Sequence, residues 1–284
     1  MRSLVKQMMV VAIALLAARP AALAQGGEQE PGGEAERPQT AGEIEAEKAE
    51  AEEAEKKSWL PLGVSGNVAL YSDYSFRGVS QTDREMAGQW GLDFNHDTGI
   101  FVGLWGSSTN FDQTYLEQDF YGGYAGAVGD FSYKASATFF FYPNDEKYNY
   151  WEFGAFAGYD FKVISLSTGF IGSPDYFGIG LGTGIYIPVG FNIPLPTISC
   201  PWPNGEECLT PSFDANGGYT HVEHPFVEVG GPDSTHHYFD YNAGLVFATP
   251  FNIKLDFRFV GTDAEDVFGS IADDRFIFGA KYVF

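Results

Sequence analysis

The chain has 284 residues and a formal net charge of −22 at pH 7, with 38 acidic and 16 basic side chains. A surface this acidic argues against nucleic acid as a partner, because nucleic-acid sites depend on lysine and arginine. The 26 phenylalanines and 16 tyrosines favour β-strands over helices.

The N-terminus has the three-part layout of a secretory signal peptide. Arg2 and Lys6 precede an apolar run over residues 8–18, and a site of small residues follows, with cleavage expected after Ala24. The run is shorter than the roughly 20 residues that cross a bilayer as a helix. We therefore expect residues 1–24 to be removed on export. The alternative is an uncleaved anchor or a buried helix.

Residues 25–57 form a separate acidic region. The first part is rich in glycine, proline and glutamate, and the second is an Ala/Glu/Lys tract in which Ile44 is the bulky apolar residue. Strong helix formers without an apolar seam do not build a coiled coil, and low hydrophobicity with high charge favours disorder. We predict a disordered, partly helical periplasmic tether. A role in docking a partner is the alternative.

From residue 58 onward, apolar and polar residues alternate along segments of strand type. Phe131, Tyr133 and Phe139 fall on one face of a strand, whereas Ser132 and Lys134 fall on the other. These segments are longer than the usual strand of about 5–6 residues in soluble domains and match a tilted bilayer crossing of about 9–11 residues. Aromatic residues gather near the strand ends, as in the girdles of membrane barrels. We therefore predict that the apolar faces contact lipid.

The connections alternate between short and long, which is typical of outer-membrane barrels with short periplasmic turns and longer external loops. Counting strands between the turns gives an even total, as single-chain bacterial barrels require. The predicted fold class is all-β, a transmembrane antiparallel β-barrel of about 12 strands, with 10 to 14 allowed, within residues 58–284. The predicted strands are 64–78, 86–96, 100–109, 115–127, 131–142, 148–160, 163–171, 176–189, 217–229, 237–248, 251–262 and 274–284.

A long insertion is expected near residues 190–216, and it contains Cys200 and Cys208. In an exported chain a disulfide between these two cysteines is expected, because the compartment is oxidising. Two free thiols, or a metal held by the pair, are the alternatives.

The chain ends in an alternating strand whose last residue is aromatic. Gly279, Tyr282 and Phe284 are spaced in a way that resembles the signal recognised by the barrel-assembly machinery of the outer membrane, although Ile277 stands where that signal usually has a polar residue. We expect this last strand to pair with the first and close the barrel, so that it cannot fray.

Residues 67–82, NVALYSDYSFRGVSQT, resemble the opening motif of the TorF-like porin family, also called Gcw_chp. The resemblance continues through residues 89–111, and residues 173–178 and 239–247 resemble later blocks of the family. It implies an outer-membrane barrel with a channel role. The acidic tether and the insertion near 190–216 depart from the family pattern.

Polar residues on the predicted inner faces are the candidate functional residues. Mixed rows of acids and bases can line an aqueous pore and set its selectivity, or pair with one another and plug a narrow lumen. The candidate lumen-lining residues are Asp73, Arg77, Asp93, Glu117, Asp119, Lys134, Glu152, Asp256 and Arg258. The predicted function is passage of small solutes with a bias towards cations, because of the acid excess. The alternative is a non-conducting structural or interaction barrel docked through its tether.

Catalytic and metal chemistry have little support in the sequence. There is no G-x-S-x-G motif, and His221 and His224 are three residues apart, which places them on opposite faces of a strand. We expect no enzyme activity, no cofactor and no metal, with a barrel hydrolase as a further alternative. The expected location is the bacterial outer membrane, and the expected partners are its lipid and lipopolysaccharide, the barrel-assembly machinery and small solutes.

Overall fold

The computed structural model describes residues 62–178, 180–199, 207–227 and 234–284. The signal peptide and the tether predicted for residues 1–57 lie outside the described residues, as does Cys200 of the predicted disulfide. Cys208 lies in a strand of the described part.

Twelve of the fifteen strands among the described residues form one closed antiparallel barrel. The barrel strands are β1 (Leu62–Tyr71), β4 (Ala87–His96), β5 (Ile100–Phe111), β6 (Thr114–Val128), β7 (Phe131–Phe141), β8 (Tyr150–Asp160), β9 (Ser165–Ser173), β10 (Gly184–Pro194), β12 (Glu207–Val227), β13 (Ser234–Ala248), β14 (Ile253–Thr262) and β15 (Arg275–Val283). Three short strands stand outside this ring, β2 (Ser75–Phe76), β3 (Val79–Ser80) and β11 (Ile198–Ser199). The predicted fold class is confirmed.

Each barrel strand pairs with the next along the chain, and the ring closes where β15 pairs with β1. In this seam Asn67 lies opposite Val283 and Tyr71 lies opposite Gly279. The backbone of Phe284 also donates to and accepts from Gly66, with N···O distances of 2.9 and 2.8 Å. The expected pairing of the last strand with the first is confirmed, and it closes the ring formed by the described barrel strands.

Side chains alternate between the two faces of the wall. On β7, Ser132 is 1% exposed, whereas its neighbour Phe131 is 43% exposed. The same alternation puts large apolar side chains on the outside around the ring, among them Val68, Phe153 and Phe278. An apolar outer face and a polar inner face are the arrangement of a barrel that spans a membrane.

The helical segments of the described residues are short, and none is long and apolar enough to cross a membrane. They are α1 (Glu265–Phe268) and the 3-10 turns Glu146–Tyr148, Tyr176–Gly178 and Gly269–Ala272. All lie in the longer connections at one end of the barrel, which we call the long-loop end. The opposite, short-turn end holds the start of β1 and the end of β15.

The prediction of a first strand over residues 64–78 is wrong at its end. β1 stops at Tyr71, and β2 and β3 form a small hairpin that turns into the barrel. Arg77 and Gly78 occupy its tip with φ angles of 43° and 87°, which suits the tight turn of a two-residue hairpin and breaks the extended run.

The predicted strand over 176–189 and the insertion over 190–216 are also wrong in their bounds. β10 begins at Gly184 and pairs along its length with β12, from Gly184 opposite Val222 to Pro194 opposite Ser212. β12 begins at Glu207 instead of 217. Prolines are depleted in strands, so the proline-rich stretch was predicted to be an insertion although it contains the end of β10 and the start of β12. The connection between these two strands covers residues 195–206.

Gly279 is expected to be essential for closing the barrel. A Cβ at this position would overlap the ring of Tyr71, which lies on the paired strand β1. Replacing Gly279 with alanine should therefore lower the free energy of unfolding by about 1–3 kcal/mol, the usual cost of overpacking. The measurement is urea unfolding of the barrel refolded into lipid vesicles, in the absence of any assembly machinery.

Gly88→Ala is the matched control, because a Cβ on this strand glycine would meet only Leu70, at 4.0 Å. Equal stability of the two variants would show that the seam does not need a glycine at position 279.

Candidate functional site

The interior of the barrel is the candidate site, and it is densely filled. The nine predicted lumen residues all lie among the buried side chains, with exposures between 0 and 6%. They contact other protein groups in the described conformation instead of facing a wide aqueous passage. Their role as a conducting lining therefore remains a prediction.

A segment of the first connection enters the long-loop end of the barrel. We call residues 72–82 the inner hairpin. Tyr74, Phe76 and Val79 of this hairpin are fully buried. The backbone N–H of Gln81 donates to Tyr74 O at 2.6 Å, and the N–H of Asn110 on β5 donates to Gln81 O at 2.8 Å. The hairpin thus packs as part of the interior.

Asp73 anchors the base of the inner hairpin to the last strand. Its carboxylate accepts hydrogen bonds from the hydroxyls of Ser80 and Thr82 and from the guanidinium of Arg275 on β15. Arg275 also donates to the carbonyl of Gly78 at 3.0 Å. One arginine of the wall therefore holds both the base and the tip of the hairpin.

Arg77 anchors the tip of the inner hairpin to the opposite wall. Its Nη2 lies 3.1 Å from Glu152 Oε2 on β8, and its Nη1 donates to the hydroxyl of Tyr176. The guanidinium carbon also lies 4.0 Å from the centroid of the Tyr186 ring on β10. Two predicted residues, Arg77 and Glu152, are thus brought into a buried ion pair.

A second group of predicted residues lies along β4 and β6. Glu117 accepts one hydrogen bond from Tyr74 of the hairpin and one from Tyr142, each at 2.9 Å. Asp93 accepts a hydrogen bond from the hydroxyl of Tyr121. Tyrosine hydroxyls therefore donate to the buried carboxylates of Glu117 and Asp93, whereas Glu152 on the opposite wall is paired with Arg77.

A third group lies nearer the short-turn end. Arg258 Nε donates to Asp256 Oδ1 at 2.9 Å, and its Nη1 donates to Asn242 Oδ1 at 3.0 Å. Lys134 lies on the far wall, 5.1 Å above the Phe156 ring. The predicted residues therefore divide among separate clusters at different depths, and they do not converge on one reacting centre.

The tyrosines are the interior residues that sequence reasoning missed. Tyr74 and Tyr142 lie near predicted strand ends, where aromatic residues are expected at the lipid interface, but both are fully buried inside the barrel. Trp151, by contrast, does face outward and is 48% exposed. The spacing of Tyr74 and Tyr142 from polar residues along the chain was the available signal for an inward position, because inward residues recur at every second position of a strand.

The connection between β5 and β6 is held by a surface charge cluster. Lys147 lies 2.6 Å from Asp112 and 2.8 Å from Asp145. Partial burial opposes ionisation of Asp112, but its hydrogen bonds to Lys147 and Tyr148 and the lysine charge outweigh this effect and lower the pKa of its carboxyl. This cluster ties two external connections together and lies outside the interior.

The residues of the predicted assembly signal lie on both faces of β15 at the seam, with Tyr282 and Phe284 outward and Gly279 inward. Tyr282 and Phe284 are exposed and stack with ring centroids 6.2 Å apart, while Gly279 makes room for Tyr71. Recognition by an assembly machinery remains a prediction. Within the part of the chain that the structure describes, no three His, Cys, Asp or Glu side chains are grouped to hold a metal ion.

The profile of a family described as "Bacterial protein of unknown function (Gcw_chp)" matches residues 53–284. No curated protein matches the sequence. Among solved structures, the KdgM porin has a TM-score of 0.48 at 8% identity, over 78% of this chain and 99% of its own. The NanC porin has a TM-score of 0.48 at 9% identity, over 78% and 98%. LpxR from Salmonella typhimurium has a TM-score of 0.38 at 9% identity, over 78% and 99%.

Breaking the ion pair between the hairpin and the wall is expected to destabilise the barrel. Glu152→Gln leaves the guanidinium of Arg77 buried without its counter-charge, which typically costs about 3–5 kcal/mol. The double variant Arg77→Met, Glu152→Gln should lose less than Glu152→Gln alone, because no buried charge remains. The measurement is urea unfolding in lipid vesicles, monitored by tryptophan fluorescence.

Glu265→Gln is the control for this substitution, because Glu265 is an exposed acid at the same end, and a change within about 0.5 kcal/mol is expected. If Glu152→Gln were as stable as this control, the pair would have no structural importance.

Proposed function

This chain belongs to the Gcw_chp family of bacterial proteins, and we propose that it is an outer-membrane channel that the inner hairpin closes in the described conformation. Small solutes, with a bias towards cations, pass when the hairpin leaves the lumen. The family predicted from residues 67–82 is confirmed, while its TorF-like designation remains a prediction.

The outer surface supports the membrane location. Closed backbone pairing with apolar side chains facing outward suits lipid, because lipid offers no partner for open backbone groups. The even number of strands is that of bacterial outer-membrane barrels, and so are the short turns at one end, apart from the connection over residues 195–206. Lipid and lipopolysaccharide would contact the outer face, and the signal peptide expected at residues 1–24 would supply export.

The observation that carries the channel proposal is the charge inside a barrel that could be packed with apolar groups. Eight carboxylates and four cationic side chains are buried among the described residues. Buried ion pairs are seldom better for stability than well-packed hydrophobic residues of the same volume. A charged interior is therefore best explained by a state in which water and solutes enter it.

The sign of the interior supports the cation bias. The eight buried carboxylates outnumber the four buried cations, and the partly buried Arg275 and Lys254 reduce the excess without removing it. Carboxylates that remain in excess when a lumen opens raise the local concentration of cations.

A non-conducting barrel is the second candidate, and the packing at the long-loop end favours it. Tyr142, Tyr148, Tyr150 and Phe177 join a continuous buried cluster there, with Tyr150 and Phe177 stacked at 4.5 Å. This cluster resembles the core of a soluble domain and would hold the lumen permanently shut. A structural or docking role would then rest on the tether.

Weakening the base of the hairpin is expected to open the channel. Asp73→Ala removes the acceptor shared by Ser80, Thr82 and Arg275, so the hairpin should leave the lumen more often. We expect single channels of the wild-type protein in planar bilayers to be closed for most of the time, and those of Asp73→Ala to open more often. The reversal potential under a salt gradient should show cation preference in both proteins.

The control variant is Asp273→Ala, which removes the partner of Arg84 from an exposed ion pair at the same end and should gate like the wild-type protein. A variant Asp73→Ala that inserts but stays silent would contradict the channel proposal and favour the non-conducting barrel.

A further inference from the structure

We propose that the groups holding Arg77 form a binding site for solutes that carry a guanidinium group. We call Glu152, Tyr176 and Tyr186 the arginine cage. In the closed barrel Arg77 occupies the cage, and a solute guanidinium takes its place when the hairpin withdraws. The proposal deepens the proposed function, on which it rests, by naming the class of solute.

The cage contacts two of the three guanidinium nitrogens, Nη1 and Nη2, whereas Nε has no hydrogen-bond partner among the described residues. The carboxylate of Glu152 lies 3.1 and 3.4 Å from Nη2, and the hydroxyl of Tyr176 accepts from Nη1. The centroid of the Tyr186 ring lies 4.0 Å from Cζ, within the range of a cation–π contact. Charge, hydrogen bonding and this ring contact together favour a guanidinium over a compact ammonium or a metal ion.

The cage is built from segments other than the hairpin and does not leave with it. Glu152 is on β8, Tyr186 is on β10, and Tyr176 is in the 3-10 turn that follows β9. The cage is therefore assembled before any solute arrives, which lowers the cost of binding.

Neighbouring groups fix the two rings of the cage. The hydroxyl of Tyr186 donates to Asp240 on β13 at 3.2 Å. The backbone N–H of Tyr176 donates to Gly182 O at 2.8 Å, and a Cβ on Gly184 would collide with the Tyr176 ring at 2.5 Å. Asp240 also places a second carboxylate behind the cage, which increases its attraction for a cation.

Arg77 behaves as a ligand that the chain itself supplies. It is 0% exposed, and its φ of 43° is in the left-handed region, where a tight hairpin turn prefers Asn, Asp or Gly. Arginine is thus a poor residue for the turn but the best one for the cage. A side chain kept in a strained backbone position indicates that its contacts matter for function.

The test removes the internal ligand and supplies an external one. Arg77→Ala deletes the guanidinium and leaves Glu152, Tyr176 and Tyr186 in place. We expect methylguanidinium to bind the purified variant in detergent with a heat measurable by calorimetry, and to raise its melting temperature. Urea, a neutral molecule of the same shape, should do neither at the same concentration, and the wild-type protein, whose cage is filled, should not bind methylguanidinium.

The matched variant is Arg77→Ala, Glu152→Gln, which keeps both tyrosines but removes the charge. We expect it to bind methylguanidinium at least about tenfold more weakly, equivalent to about 1.4 kcal/mol. If Arg77→Ala alone folds poorly, the same comparison is made on refolding yield, with methylguanidinium against urea in the refolding buffer. The cage proposal would be overturned if methylguanidinium had no larger effect than urea on the calorimetric heat, on the melting temperature and on the refolding yield.

These measurements need no ion flow, so they separate the two proposals. Binding by Arg77→Ala in a barrel that never conducts would support the cage as a binding site and contradict the channel. Conduction without binding would support the channel and contradict the guanidinium class of solute.

Discussion

The pairing of β15 with β1 is the constraint on which the rest of the structure depends. An unpaired backbone group in lipid costs several kcal/mol, so the wall is stable only as a closed ring. At the seam, Gly66 bonds with Phe284 through both backbone groups, and Gly279 accommodates Tyr71. Once the ring is closed, the strand alternation decides which side chains face lipid and which fill the interior.

The interior and the inner hairpin are complementary in charge. The hairpin contributes one anion and one cation, and each meets a wall residue of opposite sign, Asp73 with Arg275 and Arg77 with Glu152. Because the two contacts lie on different sides of the barrel, they resist tilting of the hairpin as well as its withdrawal. The hairpin therefore supplies the counter-charges of Arg275 and Glu152 on the wall, in addition to filling the interior.

The wall could be predicted from the sequence because strand alternation is local. The pattern of β7, the seam at β15 and the strand count follow from a period of two and from turn lengths. The inner hairpin could not be predicted, since residues 72–78 continue the alternation of β1 and only the Arg77–Gly78 turn breaks it. β10 and β12 were misplaced because prolines within them hide the pattern.

The candidate site was predictable only in part for a related reason. Periodicity identifies Asp93, Glu117 and Glu152 as inward residues, which matches their burial. It does not reveal that Tyr74 and Tyr142 share Glu117, or that Arg77 crosses the interior to Glu152, because these contacts join residues 25 to 75 positions apart. The filled state of the interior is therefore a property of the tertiary structure alone.

The sequence separation of the hairpin contacts sets an order of assembly. Asp73 and Arg275 are 202 residues apart, and Arg77 and Tyr176 are 99 apart. Neighbouring strands pair over short separations, whereas contacts between distant residues form late because closing a long loop is entropically costly. The contact of Asp73 with Arg275 needs β15 in place. We therefore expect the base of the hairpin to be fixed late in assembly, about when the ring closes.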